Sequence, residues 1–227
     1  MKIKTKDYNF LDENITLSCQ STEHTISLIQ EEITTYKSLF KIDFQPNDVI
    51  LDLGANIGII SILLSKKFPF TKIYSYEASP INFENFKLNI TQNKCENITP
   101  FNFAVWSTSG DTLQIPTSPT NSGGSSVYYK QEFFERYPVA NVNTISLEDI
   151  FEEHGIESCK LLKIDVEGSE YEIFSKFPVE RLNQIKNVGI EFHKCAASKL
   201  VNIKKMFKEN GVKIVCEFNA EGGKLKQ

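Results

Sequence analysis

The residues best suited to bind a ligand lie in a short turn that follows an apolar segment. The run Val49-Ile50-Leu51-Asp52-Leu53-Gly54-Ala55-Asn56-Ile57-Gly58 has the pattern of a buried strand leading through a glycine-rich turn into a helix. Glycine accepts a positive φ angle, and its missing side chain lets a ligand approach the main chain closely. The first N–H groups of the following helix are free to bind a polar group. We therefore assign Asp52, Gly54 and Gly58 to a cofactor site.

The spacing of this turn, D-x-G-x-x-x-G, argues against a dinucleotide site. A dinucleotide turn has the pattern G-x-G-x-x-G, and its third glycine is absent here. The carboxylate of Asp52 would repel a diphosphate, but it suits the amino group of an amino-acid-like cofactor. The turn resembles the cofactor turn of S-adenosylmethionine (SAM) methyltransferases. An ordinary strand-to-helix turn is the alternative interpretation.

A second acidic residue, Glu77, ends the next predicted strand at residues 72–77. It lies about 20 residues beyond Gly58, where nucleotide-binding α/β folds place the acid that accepts ribose hydroxyls. The alternative is that Glu77 only caps the next helix. Ser79 and Pro80 already suit the N-cap and first helical positions, so we expect Glu77 to be free for a ligand.

Charged residues also interrupt a predicted central strand, Leu161-Leu162-Lys163-Ile164-Asp165-Val166. Strands of a parallel sheet are normally apolar on both faces, and buried charges are costly unless they are paired or functional. Lys163 and Asp165 share one face, and Glu167 follows at the strand exit. An ion pair between Lys163 and Asp165, with Glu167 favoured at a helix start by the helix dipole, is the structural alternative. Both interpretations can hold together.

The next predicted strand, residues 187–193, repeats this pattern. Glu191 and His193 share the face opposite its apolar residues. The carboxyl ends of parallel strands meet at one sheet edge, where ligands bind. We therefore expect one catalytic group beside the cofactor, consisting of Asp165, Glu167, Glu191 and His193.

Strand and helix signals alternate along most of the chain, which predicts a mostly parallel sheet with helices on both faces. Residues 1–20 have the pattern of a hairpin that turns near Asp12-Glu13-Asn14, and a helix is predicted from His24 to Phe40. The other predicted elements are 49–53, 57–67, 72–77, 80–93, 98–105, 161–166, 169–177, 187–193, 197–209 and 212–218. The polar segment 116–130 is either a loop that closes over a substrate or a plain flexible loop.

Composition favours one cytosolic enzyme domain. The chain has 227 residues, of which 41% are hydrophobic, enough for a single core. We predict one domain, with an N-terminal extension at 1–45 and a Rossmann-like core at 46–220. The net charge of −4 and the lack of a basic run argue against nucleic acid as a partner. The sequence contains no secretory signal or membrane-spanning run, and its five scattered cysteines indicate reduced thiols and a cytoplasmic location.

Four segments together resemble FkbM-type SAM-dependent methyltransferases. They are Leu51-Asp52-Leu53-Gly54-Ala55-Asn56-Ile57-Gly58, Glu77-Ala78-Ser79-Pro80, Lys163-Ile164-Asp165-Val166-Glu167-Gly168-Ser169-Glu170 and Glu191-Phe192-His193. The resemblance implies a Rossmann-like class I methyltransferase fold that binds SAM through Asp52, Gly54, Asn56, Gly58 and Glu77. It also implies that Asp165, Glu167, Glu191 and His193 surround the reacting groups. We add Ala104, on the predicted strand 98–105, to the cofactor site.

The end of the chain departs from this family pattern. Such folds usually finish with a hairpin of two strands, but only residues 212–218 have a strand pattern here. The last strand is missing, very short or replaced by another pairing. An uncovered strand edge is a liability or a contact between the subunits of a homodimer. The N-terminal hairpin is an alternative cover for an edge.

These features favour methylation of a hydroxyl on a sugar or other small metabolite. His193 is the predicted general base, because imidazole has a reference pKa near ~6.5, and Glu191 or Asp165 could orient it. A divalent cation held by Asp165, Glu191 and His193 is an alternative way to activate the hydroxyl, although we expect no metal. A non-catalytic SAM-binding module is the rival from another class. The missing third glycine argues against an NAD-dependent oxidoreductase.

Overall fold

The computed structural model of the chain describes residues 3–19, 31–117, 128, 131–193 and 197–219, with the side chains of 197–199 and 219 left out. The strands are β1 (Lys4–Phe10), β2 (Glu13–Cys19), β3 (Val49–Leu53), β4 (Lys72–Tyr76), β5 (Ile98–Phe101), β6 (Ala104–Trp106), β7 (Thr112–Pro116), β8 (Val139–Ser146), β9 (Cys159–Ile164), β10 (Asn187–Phe192) and β11 (Lys213–Asn219). The helices are α1 (residues 31–36), α2 (Ile59–Lys67), α3 (Pro80–Asn93), α4 (Gln131–Arg136), α5 (Leu147–Glu153), α6 (Glu170–Ser175) and α7 (Ala197–Glu209). Two 3₁₀ helices span Leu39–Lys41 and Val179–Gln184.

The central sheet has six strands in the order β11-β10-β9-β3-β4-β5, and every neighbouring pair is parallel. Alternate residues of β3 enter two apolar cores, one on each face. Leu51 belongs to the core that includes Phe207 of α7, and Ile50 belongs to the core that includes Leu63 of α2. Helices therefore cover both faces, which confirms the predicted Rossmann-like fold. The strand order reverses between β3 and β9, and such a reversal opens a crevice at the carboxyl ends of the strands.

The prediction of one strand at 98–105 is wrong, because the structure has two strands there, β5 and β6. The side chain of Asn102 donates hydrogen bonds to the carbonyl oxygens of Glu77 and Ala78, at 2.8 and 3.0 Å, and turns the chain out of the main sheet. β6 then joins a small sheet of order β6-β8-β7. The elements β7, α4, β8 and α5 were not predicted.

The N-terminal hairpin turns at Leu11 and Asp12, close to the predicted position, and both residues have positive φ angles of 54° and 67°. It forms a separate two-stranded sheet, so it does not cover an edge of the main sheet. Asn89 of α3 accepts from the backbone N–H of Ser18 at 2.6 Å and donates to its carbonyl at 3.1 Å. The side-chain amide of Asn89 therefore makes the hydrogen bonds to the backbone of β2 that a neighbouring strand would otherwise make.

The final strand, β11, pairs in parallel with β10, and no strand of the described residues lies on its outer side. The predicted homodimer contact and the division at residue 45 remain predictions. Residues 24–30 of the predicted N-terminal helix, most of the 116–130 loop and the segment 220–227 lie outside the described residues. Within the described part, no helix has the length and apolar character needed to cross a membrane.

Candidate active site

Asp52 lies beneath the glycine turn and does not face the crevice. Its side chain is fully buried, accepts a hydrogen bond from the hydroxyl of Ser61 at 2.6 Å, and lies 3.2 Å from Nζ of Lys163. Nζ also donates to the carbonyl oxygen of Gly54 at 2.7 Å. The contact between the Asp52 carboxylate and a cofactor amino group therefore stays a prediction that this geometry disfavours. Asp52 and Lys163 instead hold the turn against β9.

The two glycines of the turn permit close approach of other parts of the chain. Gly54 and Gly58 have φ angles of +79° and +90°. A Cβ atom would lie 1.7 Å from the carbonyl oxygen of Asp165 at Gly54, and 2.0 Å from the ring of Phe86 at Gly58. The sequence argument that these glycines make room for a ligand misses this packing, which alone requires glycine at both positions.

Glu77 ends β4 beside the turn, and its carboxylate binds two backbone N–H groups. Oε2 accepts from Asn56 at 2.7 Å, and Oε1 accepts from Ser79 at 2.8 Å. Ser79 is the N-cap of α3, as predicted, so Glu77 both supports that helix start and keeps lone pairs for a ligand. Burial raises its pKa to about 7, against the lowering effect of these hydrogen bonds.

His193 lies between two carboxylates at the exit of β10. Its Nδ1 is 2.8 Å from Oε1 of Glu170, and its Nε2 is 3.2 Å from Oε2 of Glu167. Burial alone lowers the pKa of His193, but these hydrogen bonds and charges together raise it to about 11. Both ring nitrogens then carry protons at neutral pH, which favours another residue as the proton acceptor, and the general-base role of His193 stays a prediction that this geometry disfavours.

Glu191 and Asp165 occupy the same edge. Nζ of Lys163 lies 3.8 Å from Oδ2 of Asp165, so the predicted ion pair exists, although the contact with Asp52 is shorter. Glu191 has no hydrogen-bond or ion-pair partner among the residues that the structure describes. Burial, followed by the charge of Asp165, raises the pKa of Glu191 to about 7.

Helix α1 adds two residues that sequence reasoning missed, Glu32 and Tyr36. Tyr36 is fully buried, its ring centroid lies 5.3 Å from Nζ of Lys163, and its hydroxyl has no hydrogen-bond partner within the described residues. Burial is the largest cause that raises the pKa of Glu32 to about 8, and Asp165 and Glu191 are among its charged neighbours. Their spacing of four residues places both on one face of a helix, but no pattern in the sequence indicates where that helix docks.

Comparison with known proteins identifies the chain. The model of the FkbM methyltransferase domain matches residues 52–214. The chain belongs to the FkbM methyltransferase family.

Three relatives are 22–26% identical to this chain. Methyltransferase sdnD of Sordaria araneosa is 26% identical over 200 residues, covering 74% of this chain and 77% of its own. The hexuronic acid methyltransferase AglP of Haloferax volcanii is 25% identical over 149 residues, which cover 66% of this chain and 57% of AglP. The 31-O-demethyl-FK506 methyltransferase FkbM of Streptomyces tacrolimicus is 22% identical over 201 residues, which cover 78% of this chain and 76% of the relative.

The cofactor of this FkbM-family methyltransferase is SAM, and the residues around the turn fit it. Asn56 has a positive φ of 54°, and its side-chain oxygen is buried without a hydrogen-bond partner in the described part. That oxygen and the Glu77 carboxylate have the acceptor chemistry that the amino and hydroxyl groups of SAM require, and their contact with the cofactor stays a prediction. Ala104 is buried in β6 and packs with Ala78, directly after Glu77. Its contact with the cofactor stays a prediction.

Proposed function

We propose that this methyltransferase transfers the methyl group of SAM to a hydroxyl oxygen of a sugar or another small metabolite. The observation that carries the proposal is the carboxylate of Glu191, which has no hydrogen-bond or ion-pair partner within the described residues and lies close enough to Asp165 for their charges to interact. A hydroxyl acceptor must lose its proton as the new bond forms, and a positioned carboxylate can accept that proton. The names of two relatives point the same way, since one acts on a hexuronic acid and the other on a 31-O-demethyl compound.

The reaction is an in-line displacement at the methyl carbon. The C–O bond forms while the C–S bond breaks, and the sulfur keeps the bonding electron pair as a neutral thioether. The hydroxyl proton passes to Glu191. SAM supplies the reactive methyl group, so the protein mainly aligns the two partners, an effect that contributes about 7–11 kcal/mol in favourable cases. His193 keeps Glu167 and Glu170 in place through its two N–H groups.

A turnover assay on a panel of hydroxylated small molecules, uronic acids included, tests this proposal by mass spectrometry of the methylated product. Glu191→Gln should lower kcat roughly 10²–10⁴-fold, because the proton acceptor is lost. Glu180→Gln is the matched control, since Glu180 is exposed on a 3₁₀ helix. Parental turnover by Glu191→Gln would remove Glu191 from the mechanism. Binding of SAM without methylation of any acceptor would favour the alternative hypothesis that this protein is a non-catalytic SAM-binding module.

A further inference from the structure

We propose that Asp165, Glu167 and His193 form a binding site for a divalent first-row metal cation of the Mn²⁺ type. One ligand atom from each residue lies within 4.8 Å of the others, so a single ion could contact all three after small side-chain movements. This set differs from the cation site considered from the sequence, because Glu167 takes the place of Glu191. The three side chains are partly buried, which leaves one side of the group open to the crevice.

Glu170 orients the imidazole in the way that metal sites require. Its side chain is fully buried, and its Oε1 holds Nδ1 of His193 at 2.8 Å. Nε2 is thereby directed to Glu167, at 3.2 Å, and a bound ion would replace the proton on Nε2 and release it to solvent. A histidine that binds a metal almost always donates its other ring N–H to a carboxylate or carbonyl, which fixes the ring and raises its basicity. Glu170 supplies that support from inside the protein core.

Tyr36 provides an independent indication that a ligand belongs here. Its hydroxyl is fully buried and unpartnered within the described residues, and Asp165 and Glu191 are the charged groups that act on it most strongly. A buried hydroxyl without a partner is costly. An oxygen atom bound to a cation at Asp165, from water or from the methyl acceptor, would accept its hydrogen bond.

The charges around the crevice also favour a cation. Four carboxylates, those of Asp165, Glu167, Glu170 and Glu191, outnumber the basic groups Lys163 and His193. Two carboxylates and one imidazole suit Mn²⁺ and similar ions better than Mg²⁺, which prefers oxygen ligands alone. Three protein ligands leave coordination positions open. An acceptor hydroxyl bound to the ion there would have a lower pKa. This role of the ion in catalysis rests on the proposed function, but the binding of the ion itself is independent of that function.

Direct titration of the chelator-treated full chain with Mn²⁺ tests the site, with bound and free ion measured by electron paramagnetic resonance. Neither SAM nor acceptor is present. We expect one Mn²⁺ per chain and weaker binding of Mg²⁺. Asp165→Asn and His193→Ala should abolish saturable binding, and Glu170→Gln should weaken it about 10–100-fold. The exposed control Glu180→Gln should bind as the parent does, whereas Glu191→Gln should bind more weakly but still saturably, because it removes a nearby negative charge and no ligand.

SAM affinity of each variant, measured by calorimetry, shows that it is folded. Absence of saturable Mn²⁺ binding to the parent would overturn the proposal, as would parental binding by both His193→Ala and Asp165→Asn. Loss of binding in Glu191→Gln would overturn the ligand set. Mn²⁺ binding without any methyl transfer would contradict the proposed function and support the metal site. Turnover that needs no metal, in a protein that does not bind Mn²⁺, would support the proposed function and contradict the metal site.

Discussion

Glu77 is the residue whose ionisation should control cofactor affinity near neutral pH. Burial raises its pKa to about 7, and Lys163 is the charged group that acts on it. Ribose hydroxyls bind the ionised carboxylate more strongly, so SAM should lower this pKa. By linkage, SAM affinity should rise roughly tenfold from about pH 6 to about pH 8 and then level off. Lys163 stays charged throughout, because Asp52 and Asp165 outweigh its burial and raise its pKa.

The measurement is a calorimetric titration with SAM across this pH range. Glu77→Gln is the matched control, since its amide does not titrate there. The variant should bind more weakly at pH 8 and show no rise attributable to position 77. An equal rise in parent and variant would assign the effect to another group.

Gly54 should matter for stability rather than for ligand access. Gly54 and Gly110 have nearly the same φ, +79° and +83°, but a Cβ meets the Asp165 carbonyl at the first and no atom within 4 Å at the second. Gly110→Ala should therefore cost about 1–2 kcal/mol through backbone strain alone. Gly54→Ala should cost about 4 kcal/mol or more. Urea unfolding measures both, and equal losses would contradict the packing explanation.

At the scale of elements, α3 and β2 depend on side-chain amides for their contact. Asn89 bonds to both backbone groups of Ser18 and donates to the carbonyl of Ile57 at 2.9 Å. Asn89→Ala should leave a buried N–H of Ser18 unsatisfied and lower the free energy of unfolding by about 1–3 kcal/mol. Lys87→Ala, exposed on the same helix, should change it little.

Urea unfolding and hydrogen exchange at Thr16 and Ser18 check this expectation. Exchange at Ser18 should become faster in Asn89→Ala and stay as in the parent in Lys87→Ala, and the amide of Thr16, which donates to Asn93, should change less. Unchanged exchange would mean that the hairpin is held by its apolar contacts alone.

The elements that could be predicted from the sequence have strong local signals. Residues 49–53 form an apolar run, and Pro80–Asn93 begins at an N-cap serine followed by proline. The polar helix α4 and the short strand β7 have no such signal, and Asn102 breaks a strand through a tertiary contact. Local patterns report burial and caps, but they do not report which distant segment supplies a hydrogen bond.

The same limit applies to the candidate site. That Glu191 and His193 share a strand face follows from the alternation of side chains, and the structure brings both to the edge beside Asp165. The protonation of His193 depends on Glu170, which lies in the quoted family segment but is buried only because α6 packs onto the sheet. Tyr36 reaches the site only because α1 packs onto the sheet, where the Tyr36 ring lies against Lys163 of β9 and Phe218 of β11.

At the scale of the whole molecule, charge should exclude nucleic acid. The chain carries a net charge of −4, and the crevice is lined with carboxylates that repel phosphates. Fluorescence anisotropy with labelled tRNA at low salt should show no saturable binding. Saturable binding that weakens steeply as salt is added would contradict this expectation, because that slope counts phosphate contacts.

We expect the cofactor to bind at the carboxyl ends of β3 and β4, and the methyl acceptor to bind at the carboxyl ends of β9 and β10. Titration of SAM into the parent, Glu77→Ala and Glu191→Ala by calorimetry at about pH 8, above the pKa of about 7 of both carboxyls, tests it most directly. We expect one SAM per chain, a loss of about 1–3 kcal/mol of affinity in Glu77→Ala, and parental affinity in Glu191→Ala. Parental affinity in Glu77→Ala, together with a loss in Glu191→Ala, would contradict the account.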